Sequence, residues 1–263
     1  MINIDQYAYI SALRRKDPLQ KVFFALLTLG VCIWADSTVI SVTVLAIMWG
    51  ITVFTGRIPS RVFARLLLIP MLFLVVGVLT VPVNVSQNRD EFLFSFSLYG
   101  IYVGVSGTGI INAARLFFKA LGASSCLYYL SLNTPMVSLL SALSRLKLPK
   151  LLIELMGLVY RFIFVLLETA NTIFTAQNSR LGYSSLSSGH HSLASLATTL
   201  FMRAYKRSEE LYTALESRGY DGELKVIEEK YETGWTEYIA AVLINFLLIL
   251  TLVLSRRLTG GLP

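Results

Sequence analysis

Five apolar runs, at residues 22–35, 38–54, 66–83, about 110–132 and 238–254, leave this chain few ways to fold. Roughly 20 helical residues cross a hydrocarbon core of about 30 Å, and backbone groups inside lipid must satisfy one another, so runs of this length read as membrane-spanning helices. The first is the shortest and needs flanking residues to complete its crossing. A hydrophobic share of 55%, a charged share of 15% and a mean hydropathy of +0.64 lie outside the range of soluble domains. The expected fold is all-α: a polytopic membrane protein of about five transmembrane helices, with a long cytoplasmic insertion of amphipathic helices before the last span. Residues 1–21 are polar and charged and lack the apolar centre and small-residue cleavage site of a secretory signal, so the first span itself is expected to start insertion.

The net charge of +7 would suggest nucleic acid in a soluble chain, but here the cations sit in loops beside the apolar runs, and no nucleic-acid partner is expected. Arg14, Arg15, Lys16 and Lys21 precede the first run, and Arg57, Arg61 and Arg65 lie between the second and third. The hairpins at Asp36 and at 83–109 carry few cations. The positive-inside rule then places the N-terminus in the cytoplasm. Arg256 and Arg257, just past the last run, oppose the external C-terminus that follows. Arg115 and Lys119 are one helical turn apart in the fourth run and must face the bundle interior or reach an interface. Cys32 and Cys126 fall inside apolar runs and suit buried packing rather than a disulfide or a metal.

Four spans return the chain to the cytoplasm near Asn133, giving three regions: 1–132 as N-terminal transmembrane helices, 133–235 as a cytoplasmic region and 236–263 as the last transmembrane helix. In the middle region three helices are expected. One covers 135–146, capped by Asn133 or Thr134 and stopped before Pro149. A second covers about 150–179, with Pro149 beside its first turn and Gly182 after its end. Glu154, Arg161 and Glu168, seven residues apart, form a charged stripe along it, so it is expected along the membrane surface or beneath the bundle rather than across lipid, with a stripe facing a bundle interior as the alternative. Residues 183–192, rich in Ser and Gly and holding His190 and His191, read as an exposed turn in which a metal site is not expected. A third helix, about 192–217, is apolar at first and solvated later. A mixed-charge linker follows Asp221, and Trp235 and Tyr238 anchor the last span at an interface.

Two segments of this middle region echo each other: Ser179-Arg180-Leu181-Gly182-Tyr183 and Ser217-Arg218-Gly219-Tyr220. Each closes a helix with a small residue, an arginine and a glycine nearby that is free to adopt the left-handed conformation. Such an end is a narrow cationic tip. The helix dipole favours its guanidinium, which can grip a carboxylate through two parallel hydrogen bonds. One such ending is ordinary capping; two flanking one segment point to docking on a partner with two equivalent grooves.

The sequence carries no Walker A motif, dinucleotide-binding loop, His-Glu-x-x-His pair or Cys-x-x-Cys pair, so it does not read as an enzyme. Two other classes remain as alternatives: a secondary transporter or channel built around Arg115 and Lys119, and a membrane-embedded enzyme using Glu154, Glu168 or the histidine pair. A resemblance favours a third reading. The opening residues 4–14, with Asp17-Pro18 and Lys21, together with Thr134-Pro135, Leu148-Pro149, Tyr160-Arg161-Phe162 and the stretch from Arg203-Ala204-Tyr205 to Glu216-Ser217-Arg218-Gly219-Tyr220, resemble the transmembrane T component of energy-coupling factor (ECF) transporters, in its cobalt-type branch.

That resemblance implies a non-catalytic subunit in a bacterial or archaeal cell membrane, coupling ATP hydrolysis to uptake of a transition-metal ion, most readily cobalt. The family's two Ala-Arg-Gly motifs, which dock into ATPase subunits, match Ser179-Arg180-Leu181 and Ser217-Arg218-Gly219. Ser stands for Ala in both, and Leu181 for Gly in the first. The implied partners are two ATPase subunits, which bind the ATP, and a metal-binding membrane S component, with a small accessory membrane subunit left open. No cofactor and no metal ligand is implied in this chain.

Overall fold

The computed structural model describes residues 4–86, 92–98, 101–146, 148–221, 231 and 234–258. The linker expected at 222–230 lies outside them. The described residues form α1 (Ile4–Ile10), a 3-10 turn (Ala12–Arg15), α2 (Pro18–Ala35), α3 (Thr38–Gly50) with a π-helical turn at its end (Ile51–Thr55), and α4 (Ser60–Val78). Strands β1 (Val83–Ser86), β2 (Phe92–Leu98) and β3 (Ile101–Ser106) follow, then α5 (Gly107–Asn133), α6 (Met136–Arg145), α7 (Lys150–Ser179), α8 (Leu186–Glu216) and α9 (Trp235–Leu258).

Among the described residues five helices are long and apolar enough to cross a membrane: Pro18–Ala35, Thr38–Thr55, Ser60–Val78, Gly107–Asn133 and Trp235–Leu254. They agree with the five apolar runs, and the first gains its missing length by starting at Pro18. Asp17 caps it, its carboxylate accepting from Leu19 N at 3.0 Å with Pro18 in the first turn. The chain is an all-α polytopic membrane protein, and among the described residues its strands are confined to the connection between α4 and α5. There β3 pairs antiparallel with β1 on one side and β2 on the other. The register pairs Val83 with Val105 and Val85 with Val103 on one side of β3, and Phe94 with Val105 and Phe96 with Val103 on the other.

The chain forms two compact units. Unit 1 comprises Met1–Leu139 and Lys230–Pro263. Its core joins α2, α3, α5 and α9 through Phe24, Ala25, Cys32, Ile40, Val44, Met48, Cys126, Tyr129, Ala241 and Leu248. Small side chains at these crossings let helix backbones approach, as association in lipid requires. Cys32 and Cys126 are free and buried. Leu68, Ile69, Leu72, Phe73 and Val76 stay exposed on α4, as suits a lipid-facing surface. Lys119 reaches Asp36 at the α2–α3 turn, Nζ to Oδ1 at 2.7 Å, so its charge is paired at an end of the hairpin. Arg256 and Arg257 follow the candidate span, which ends at Leu254, and fall in the last turn of α9 (Trp235–Leu258).

Unit 2 is Leu140–Glu229, and its described helices include α7 and α8, neither of which buries a residue. α7 is not among the five candidate spans. Two expectations need correction. Asn133 does not cap α6: it is the last residue of α5 and wholly buried. The turn expected at 183–192 is shorter, because Ser185 accepts from Ser188 N at 3.2 Å and starts α8 at Leu186, placing His190 and His191 inside the helix. A local serine cap outweighs the low helix propensity of the Ser and Gly that follow.

Candidate functional site: two matched helix ends

α7 and α8 are joined by a tight corner. Tyr183 Oη donates to Gln177 Oε1 at 2.8 Å, and Gln177 Nε2 donates to Ser192 O at 3.1 Å. The Ser188 and Ser192 hydroxyls both donate to Gly182 O at 2.8 Å. The Phe174 and Tyr183 rings stack against this polar knot, their centroids 4.8 Å apart. A Cβ on Gly182 would stand 2.7 Å from Ser192 Oγ and 2.9 Å from Gln177 O, so this position needs glycine for space.

The first tip grows out of this corner. Gly182 N donates to Gln177 O at 2.9 Å and Leu181 N to Asn178 O at 3.0 Å. At the far end of α8, Tyr220 N donates to Leu215 O and Gly219 N to Glu216 O, both at 3.0 Å. Both ends are therefore Schellman motifs, closed by the same pair of bonds, and they correspond position by position. Ser179 corresponds to Ser217, Arg180 to Arg218 and Leu181 to Gly219. Leu181 and Gly219 are the residues that turn left-handed, with φ of 59° and 71°. The expectation that the glycine supplies this turn thus holds at Gly219 and fails at Gly182, which serves packing while Leu181 bears the strained conformation.

The consequence is two cationic ends of one design. Arg180 and Arg218 are exposed, and neither guanidinium has a partner among the described residues. Each stands at the negative end of a helix dipole. The serines turn back on their own helices: Ser179 Oγ donates to Thr175 O and Ser217 Oγ to Ala214 O, both at 3.0 Å. They shape a narrow end without competing for the arginine. α8 has 31 residues, which at 1.5 Å per residue sets the tips about 45 Å apart along it. The second tip is tied down by Tyr220, whose Oη donates to Glu154 Oε2 near the start of α7 at 3.1 Å. Sequence reading placed Glu154 in a charged stripe and missed this partner.

Among the described residues no three His, Cys, Asp or Glu side chains converge to hold a metal. His190 Nδ1 lies 2.7 Å from Leu186 O, within its own helix.

The family model of the CbiQ cobalt transport protein matches residues 10–228, a span that takes in four of the five membrane helices and both tips. The chain belongs to the CbiQ family. Among its relatives is the cobalt transport protein CbiQ of Salmonella typhimurium, 33% identical over 223 residues that cover 85% of this chain and 99% of that one. An uncharacterised protein of Methanocaldococcus jannaschii is 32% identical over 257 residues, 97% of this chain and 94% of that one. The energy-coupling factor transporter transmembrane protein EcfT of Bacillus selenitireducens is 30% identical over 268 residues, 95% of each chain.

Proposed function

We propose that this chain is the transmembrane coupling subunit of an ECF-type importer for a transition-metal ion, cobalt in the first instance. Membership of the CbiQ family across both membrane body and tips carries this reading, and relatives named as transport proteins give no support to a secondary transporter or a membrane enzyme. The subunit performs no catalytic step of its own. ATP is bound and hydrolysed by two ATPase subunits, and the metal ion is held by a separate membrane S component.

With the N-terminus in the cytoplasm, α2, α3, α4 and α5 cross in turn, α7 and α8 lie on the inner side, and α9 returns outward. Arg180 and Arg218, with Ser179, Leu181, Ser217 and Gly219 shaping the ends around them, seat in equivalent grooves of the two ATPase subunits. The duplicated Schellman geometry supports this assignment, because two copies of one groove call for two copies of one plug. Closure of the ATPase pair on ATP then displaces both tips, and α7 and α8 carry that displacement. Their exposed Leu151, Leu155, Val159, Phe201 and Met202 offer apolar surface for a membrane partner.

The test is copurification from detergent-solubilised membranes with Arg180→Glu, Arg218→Glu and the pair combined. Losing a buried, charge-assisted contact costs about 2–5 kcal/mol, so each single variant loses most of its associated ATPase and the double variant loses all of it. Full ATPase recovery with the double variant contradicts the docking assignment.

A further inference from the structure

The chain passes between its two units twice, after Leu139 and before Lys230. Within unit 1, a single short segment, residues 11–21, grips the chain beside both passages. At the first, Asn133 ends α5 with 0% exposure. Ser11 Oγ donates to its Oδ1 at 2.8 Å, and Lys21 Nζ donates to its backbone carbonyl at 2.9 Å and to Leu13 O at 3.0 Å. The Asn133 amide in turn donates to Tyr129 O at 2.8 Å. A Cβ on Gly56 would collide with Asn133 Oδ1, so the carboxamide lies against bare backbone, and Gly56 O accepts from Ala12 N at 3.2 Å. At the second passage, Gln20 Nε2 donates to Gly234 O at 3.0 Å, and Lys16 forms an ion pair with Glu237 in the first turn of α9.

Lys21 is the residue that makes this more than packing. Sequence reading counted it among the loop cations that set topology, yet it is 4% exposed. A buried ammonium is costly unless its N–H groups find acceptors, and two of them here reach Leu13 O in the 3-10 turn and Asn133 O at the carboxyl end of α5, where the helix dipole favours a cation. An apolar side chain fills a buried place at lower cost, whereas these directional bonds fix one register between the N-terminal segment, α2 and the end of α5.

We propose that residues 11–21 are a clasp holding both chain passages at one place in the membrane body, so that displacement arriving along either passage is delivered there together. The proposal rests on the coupling function above. Ser11, Lys16, Gln20, Lys21, Asn133 and Glu237 are positioning residues: they touch neither the metal ion nor ATP, and act by keeping the two passages in register.

The test uses the complete complex of this subunit with its ATPase and membrane partners in liposomes, with Co2+ uptake and ATP hydrolysis measured on the same samples. Lys16→Glu, Glu237→Lys and Asn133→Ala retain their ATPase subunits and continue to hydrolyse ATP, but the Co2+ moved per ATP falls about fivefold or more, the scale of an ordinary coupling energy. The double swap Lys16→Glu with Glu237→Lys restores most of that ratio. Unchanged Co2+ per ATP in the single variants, or a loss that the swap does not relieve, overturns the clasp. If Asn133→Ala fails to accumulate in the membrane, the half-exposed Lys16–Glu237 pair carries the test alone. A wild-type subunit that brings no ATPase with it overturns the functional reading instead, so the two failures are told apart.

Discussion

Leu181 and Gly219 do the same conformational work with different means. A residue with a Cβ in the left-handed region costs roughly 1–2 kcal/mol more than in the right-handed one, a penalty glycine escapes. Leu181→Gly is therefore expected to stabilise the corner by about 1 kcal/mol, seen as slower amide exchange at residues 181–184. Gly219→Ala is expected to loosen the second tip by a similar amount, about 1 kcal/mol. Faster exchange in Leu181→Gly contradicts this account of the first tip. The sequence made the paired Ser-Arg endings legible, but not which residue turns left-handed, because the position after Arg180 looks unsuited to the turn and the glycine beyond it looks suited. That glycine is held instead by the space it leaves for Ser192 and Gln177. Lys21 is a second misreading of the same kind, since a cation at the edge of an apolar run has the same appearance whether it faces a headgroup or a buried pair of carbonyls.

The elements were largely legible because length and apolarity decide them. All five spans, the start of α7 after Pro149 and its end at Ser179 follow from runs, prolines and the Schellman signal. What escaped was set by single side chains or by pairing at a distance. Ser185 starts α8 early, Asn133 is claimed by Ser11 rather than by α6, and the strands between α4 and α5 fall in a stretch where reading for helix-length apolar runs passed over a period-two pattern. The α7–α8 hairpin illustrates the same division, since its helices were expected and its ties were not. Tyr220→Phe removes the hydroxyl that reaches Glu154, and an exposed bond of this kind contributes about 0.5–1 kcal/mol. Amide exchange at residues 215–220 should quicken modestly while residues 177–182 are unaffected. Equal quickening at both tips contradicts the separate tethering of the two ends.

At the scale of the whole molecule, a membrane body and a helical hairpin with two matched cationic ends form one chain of the CbiQ family. The body is held together by close helix crossings in lipid and by buried polar contacts near the chain passages. In the hairpin neither α7 nor α8 buries a residue. Cross-linking in the assembled transporter tests the central assignment most directly. A photoactivatable residue at position 180 or 218 is placed in an active complex in membranes, and the products are identified by mass spectrometry. The account predicts adducts from both positions to ATPase subunits, at equivalent sites on the two copies. Adducts from neither position, in a complex that imports Co2+, contradict it.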